Sequence, residues 1–134
     1  MAYSYAGGCN GGLQVYGFGI VLILGSFATA ANTGAGLPAV TAVKGKGFSV
    51  SNTSTGTYTL TFTNSALSVL SAWLTPQVNA ANVNTSLQFG AVDVVTALTA
   101  VIRNAPAGAV ADMLANANNR IHFGFCMATS SLNS

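Results

Sequence analysis

From Gly45 onward, apolar and polar residues alternate with a period of two. Successive side chains of a strand point to opposite faces of a sheet, so this period predicts strands with one buried face. Phe48 and Val50 alternate with Ser49 and Ser51, and the Asn, Thr, Ser and Gly cluster from Asn52 to Gly56 predicts a turn. The run TYTLTFT, Thr57 to Thr63, then alternates without a break: Tyr58, Leu60 and Phe62 share one face and four threonines the other. Together the two runs predict a hairpin with a hydroxyl-lined outer face. Further strands are expected at Leu87 to Val94 and Leu98 to Arg103, joined by a tight turn, and at Arg120 to Ala128. In the last of these, Ile121, Phe123, Phe125 and Met127 share one face, and His122, Gly124 and Cys126 the other. Ala66 to Leu74 fits two periods. Leu67, Leu70 and Leu74 have helical spacing, while Leu67, Val69 and Trp73 suit a strand. Strand is preferred because its neighbours are strands, and Pro76 is expected to end it. Ala109 to Leu114 is left open between the two. The pattern predicts an all-β fold, an antiparallel β-sandwich or jelly-roll-like domain of six to seven short strands. Its core would come from Tyr58, Leu60, Phe62, Phe89, Ile102, Ile121, Phe123 and Phe125.

Residues 1–43 have a different texture. A Gly- and Tyr-rich lead precedes the apolar run VYGFGIVLIL, Val15 to Leu24, and the small-residue stretch GSFATAANTGAGLPAVTAV follows. A membrane helix needs about 20 continuous apolar residues; this run has ten, with Gly17 and Gly19 inside it. A secretory signal carries positive charge ahead of its apolar run, and no Lys or Arg occurs before Lys44. The better reading is a Gly-rich apolar arm or buried strand that needs a neighbour to cover it. The chain is therefore divided into an arm, 1–43, and a β-sandwich domain, 44–134. Val15, Tyr16, Phe18, Ile20, Leu22 and Leu24 are expected at an interface with another copy or a host surface.

Charge narrows the function. The 134 residues, enough for one domain, hold six formal charges: Asp93, Asp112, Lys44, Lys46, Arg103 and Arg120. No basic patch exists to bind nucleic acid, and two carboxylates are too few for a hard-metal cage. One imidazole, His122, leaves little material for acid–base catalysis. The chain has no GxSxG elbow, and GGCNGG lacks the lysine of a phosphate-binding loop. No catalytic residue, metal, cofactor or small-molecule substrate is expected, and His122 is read as structural or interfacial. Cys9 and Cys126 lack zinc-ligand spacing and are expected as free thiols, Cys126 packing as a small hydrophobe. In so neutral a chain, Asp93, Arg103, Asp112 and Arg120 are expected to pair, fixing geometry rather than adding much stability. A surface dominated by Ser, Thr, Asn and Gln, on a chain that is 51% hydrophobic, suits a protein that lives inside a larger assembly.

Three stretches carry a resemblance: KGKGFSVSNTSTGTYTLTFTN (44–64), FGAVDVVTALTAVI (89–102) and GAVADMLANANNRIHFGF (108–125). Their pattern of turns and strands resembles small virion proteins of tailed bacteriophages, among them capsid decoration, or cement, proteins of cyanobacterial and marine phages. The resemblance covers roughly residues 44–133 and leaves out the apolar N-terminal segment. It implies a non-enzymatic β-sandwich on the outer surface of an icosahedral head. Its partners would be the major capsid protein and itself, commonly as a homotrimer at local threefold axes, with no membrane involved. The alternative implied by the same pattern is a receptor-binding or fibre-associated module of a phage tail.

Overall fold

The computed structural model describes residues 12–15, 19–30, 34, 36–78, 85–113 and 119–130. Nine strands lie within them: β1 (Gly12–Val15), β2 (Ile20–Thr29), β3 (Val40–Gly45), β4 (Phe48–Ser54), β5 (Thr57–Phe62), β6 (Ser68–Gln77), β7 (Leu87–Asp93), β8 (Thr99–Asn104) and β9 (Arg120–Ala128). All pair antiparallel. In one sheet β9 lies between β2 and β6. β1 and β3 share the other edge of β2, β1 along Ile20 to Ile23 and β3 along Gly25 to Thr29. That sheet holds five strands in four positions; the second runs in the order β4, β5, β8, β7. The two pack face to face as a β-sandwich. Among the described residues there is no α-helix, only a 3-10 turn at Pro106–Gly108.

The expected sandwich is therefore present, with the expected hairpin formed by β4 and β5. Three expectations are corrected. The arm is not separate from the domain over its described part. β2 pairs with β9 from Ile20 to Phe27, and the expected boundary at 43/44 falls inside β3. This is why nine strands are seen where six or seven were expected. Pro76 does not end the strand at 66–74, which runs on to Gln77; β6 is an edge strand, where a missing N–H is tolerated. Residues 109–113 form neither strand nor helix. They brace one end of the sandwich instead.

Period-two burial builds the core. Val21, Ile23 and Phe27 of β2 point inward, with Tyr58, Leu60 and Phe62 of β5 and Ile121, Phe123, Phe125 and Met127 of β9. Phe123 and Phe125 are the centre of an aromatic group. Phe123 meets Phe27 and Phe48, and Phe125 meets Phe62 and Phe89, with ring centroids 4.8–6.3 Å apart. Gly25 makes this possible: a Cβ there would lie 2.4 Å from ring carbons of both Phe48 and Phe123. The small residue that interrupts the apolar run of β2 is thus a packing requirement.

At one end of the sandwich a polar cluster ties loops to strands. Asn104 is fully buried. Its Oδ1 accepts from the Ser86 N–H at 2.9 Å, and its Nδ2 donates to the Ala111 carbonyl at 2.9 Å. Its backbone N–H donates to Gly56, and the Gly56 N–H donates to Asp112 Oδ1 at 2.6 Å. Next to it, the Met113 N–H donates to the Tyr58 hydroxyl and Thr29 Oγ1 donates to the Met113 carbonyl, each at 3.4 Å. Burial holds the Tyr58 phenol above its ordinary pKa.

Candidate interaction surface

The two outer faces of the sandwich differ in chemistry. On the β4–β5–β8–β7 sheet, Ser49, Ser51, Thr57, Thr59, Thr61 and Thr99 alternate with the core residues and stand in cross-strand rows. Thr53 and Thr59 share a hydroxyl hydrogen bond at 3.1 Å. On the opposite sheet the register places Leu22 beside Cys126 and Ser71, and Leu24 beside Gly124 and Trp73. Leu24 is 48% exposed and Trp73 41%, while Leu22 and Ile20 are half-buried. Around Leu22, Leu24 and Trp73 the face is apolar, with Ser71 in the Leu22 row; toward its other end it carries Thr75, Gln77, His122, Arg120 and, beside Ser26, Lys44.

Trp73 lies flat across the sheet because Gly124 has no side chain. A Cβ on Gly124 would sit 2.1 Å from Cζ2 of the indole. Gly124→Ala is expected to lift the indole into solvent and to cost about 1–3 kcal/mol through overpacking. Trp73 is the chain's single tryptophan, so its emission should move to longer wavelength; an unchanged spectrum would contradict the contact.

The interface residues expected from the sequence separate as follows. Ile20, Leu22 and Leu24 lie together on this outer face. Val15 pairs with Ile20 through β1. Tyr16 and Phe18 lie outside the described residues, as does Cys9. Cys126 is a free thiol, half-buried beside Leu22. His122 is on the same face, where Nε2 meets Gln77 Oε1 at 2.8 Å.

The bonds described for Asp93 and Arg120 run to hydroxyl and backbone groups. Arg120 donates from Nε and Nη2 to Ser26 Oγ at 3.2 and 2.8 Å, and from Nη2 to the Ala42 carbonyl at 2.5 Å. It thereby ties β9 to β2 and β3. Asp93 caps its own turn, its Oδ1 accepting from Val95 and Thr96 N–H at 3.0 and 2.9 Å. The N–H groups of Thr96, Val95 and Ala97 hold its carboxyl below the ordinary range. A depressed carboxyl pKa stabilises the fold above the unfolded value, and that support is lost as pH falls through the folded one. Asp112 braces Gly56, and Arg103 is exposed in the row of Thr57 and Gln88, over Gly90. The charges expected to pair thus act through hydroxyl and backbone groups in every bond described for Asp93 and Arg120.

Sequence reasoning missed Phe27, which is fully buried, and the hub role of Asn104. Phe27 was hidden by its small neighbours, and Asn104 by the loop-like NAPAG that it opens. Among the described residues, no three of His, Cys, Asp and Glu come together as a metal site. No protein-family model, curated protein or solved structure matches this chain.

Proposed function

We propose that the chain is a structural virion protein, a capsid decoration (cement) protein. It lies on the outer surface of an icosahedral phage head and bridges neighbouring subunits of the major capsid protein. The observation that carries this reading is the contrast between the two outer faces. The apolar patch around Leu22, Leu24 and Trp73 suits burial against another protein. The hydroxyl-rich face suits water. The action is adhesive rather than chemical: copies held at local threefold axes, as trimers, link capsid subunits and oppose the outward pressure of packaged DNA.

The test uses heads of the encoding phage that lack the protein, with the purified chain added back. Saturable binding in stoichiometric amounts, with restored resistance to heat and osmotic shock, is the expected result. Leu24→Lys removes an apolar contact worth roughly 1.5–3 kcal/mol, so its binding should weaken at least about tenfold. Heads that withstand heat and osmotic shock equally well without the chain sink the cement role. A few copies per particle, with adsorption lost instead of strength, would point to the tail-fibre reading.

A further inference from the structure

All six formally charged side chains lie within the described residues, and the two sheets share them unevenly. Lys44 and Arg120 belong to the five-stranded sheet, and Lys46 follows in the turn that leaves it. Both acids lie with the other sheet. Asp93 ends β7 and caps its own turn, and Asp112 is bonded to Gly56 between β4 and β5. Arg103, on β8, is the one cation of that sheet.

Register gathers the first group at one end of the outer face. Lys44, Ser26, His122 and Thr75 form a single cross-strand row, and Arg120 and Gln77 stand two residues further along their strands. Neighbouring strands are about 4.8 Å apart and same-face residues about 6.8 Å apart, so Lys44, His122 and Arg120 fall within about 12 Å of one another. Lys44 is exposed. Arg120 is held in place: Nε and Nη2 donate to Ser26 and Ala42, which leaves the two hydrogens of Nη1 for a further acceptor. The row of Leu24, Gly124 and Trp73 borders the row of His122, and the row of Leu22 follows. The face thus passes from an apolar patch into a cationic end that holds no carboxylate.

We propose that this face seats on a protein surface whose carboxylates are set beside an apolar patch, and that Lys44 and Arg120 pair with those carboxylates. The inference rests on the reading that this face docks on the capsid, and it names the chemistry of the capsid surface beneath it. An apolar centre with a polar margin is the ordinary anatomy of a contact between proteins. The cations are too few for the phosphate tract of a nucleic acid, where many are needed. A guanidinium already fixed by a hydroxyl and a carbonyl loses little freedom when a carboxylate reaches it. Because the charge lies at one end, it also sets direction. Seated the other way round, the cations would be desolvated against apolar surface with no partner.

The test measures binding of the full chain to heads that lack it, at about 0.1 M and about 1 M salt, between which the screening length falls from about 10 Å to about 3 Å. Affinity is expected to fall at least about tenfold over that range. Lys44→Glu, at an exposed position, should bind at least about fivefold more weakly than wild type at low salt and nearly equally at high salt. Lys44→Gln, which only removes the charge, should fall between the two. Arg103→Glu makes the same change in net charge on the opposite sheet and should bind as wild type does. Amidating the carboxylates of the heads with a carbodiimide and glycinamide, before the chain is added, should remove the salt-sensitive part of binding. Binding indifferent to salt and to Lys44→Glu overturns the inference and leaves the cement role standing. Salt-sensitive binding that survives amidation, or that Arg103→Glu weakens as much as Lys44→Glu, overturns it as well. Heads that take up no chain at either salt sink the cement role, and the inference with it.

Discussion

Replacing Phe125 with alanine should destabilise the fold by about 3–5 kcal/mol, the range for emptying a buried aromatic site. Phe125 is fully buried on β9 and pairs with Ile23 on one side and Ala72 on the other. Phe62 and Phe89 reach it from the opposite sheet, with ring centroids 5.1 and 5.2 Å away. Its removal therefore leaves a void bounded by both sheets, which neither can close without losing its strand pairing. A domain of this size has only about 5–15 kcal/mol in hand, so the variant should sit close to its folding threshold. Denaturant unfolding checks this through the midpoint at constant slope. Phe89→Ala, at a half-buried site, should cost clearly less. Equal costs at the two positions would mean that Phe125 is not the centre of the packing.

Asn104→Ala should cost about 1–3 kcal/mol, because it removes two part-buried hydrogen bonds worth about 0.5–1.5 kcal/mol each. The Ser86 N–H loses its acceptor and the Ala111 carbonyl loses its donor. Asn104→Asp separates the two halves of the effect. It keeps an acceptor for Ser86 but turns a carboxylate toward the Ala111 carbonyl. Burial would raise the folded pKa of that carboxyl above its unfolded value. The added penalty should then be present at neutral pH and fall away as the solution is acidified and the group protonates. Thermal unfolding of both variants at neutral and acidic pH measures this. A penalty for Asn104→Asp that is the same at both would show that the side chain is not enclosed as described.

From Gly45 onward most strands were legible because they bury one face. TYTLTFT and RIHFGFCM state their inward residues directly, and β5 and β9 follow them. The stretch before Gly45 was harder for a physical reason. β2 continues beyond its apolar run into Gly25, Ser26, Phe27, Ala28 and Thr29, where small size is what the packing demands. Gly25 admits two aromatic rings, and Ser26 receives Arg120. Such residues carry almost no hydrophobic signal, so a central strand read as an arm followed by a loop. The alternation within β2 was nonetheless present, and it put Ile20, Leu22 and Leu24 on a single face. What the sequence could not express is which edge strands stay uncovered. That depends on the pairing order, and β6 and β7 come to lie on the same open side only through it.

The place of β9 has a consequence for how the chain reaches its fold. The strand that completes the first sheet lies far along the chain from its neighbour β2, and Ser26 waits for a guanidinium 94 residues further on. Until Arg120 to Ala128 arrive, β2 and β6 have no strand between them and the ring cluster has no centre. Contacts of such long sequence separation slow folding, since loop closure must precede any gain from packing. The apolar segment of β2 would stay exposed until β9 docks beside it, a period in which chaperone capture or aggregation competes with closure of the sandwich.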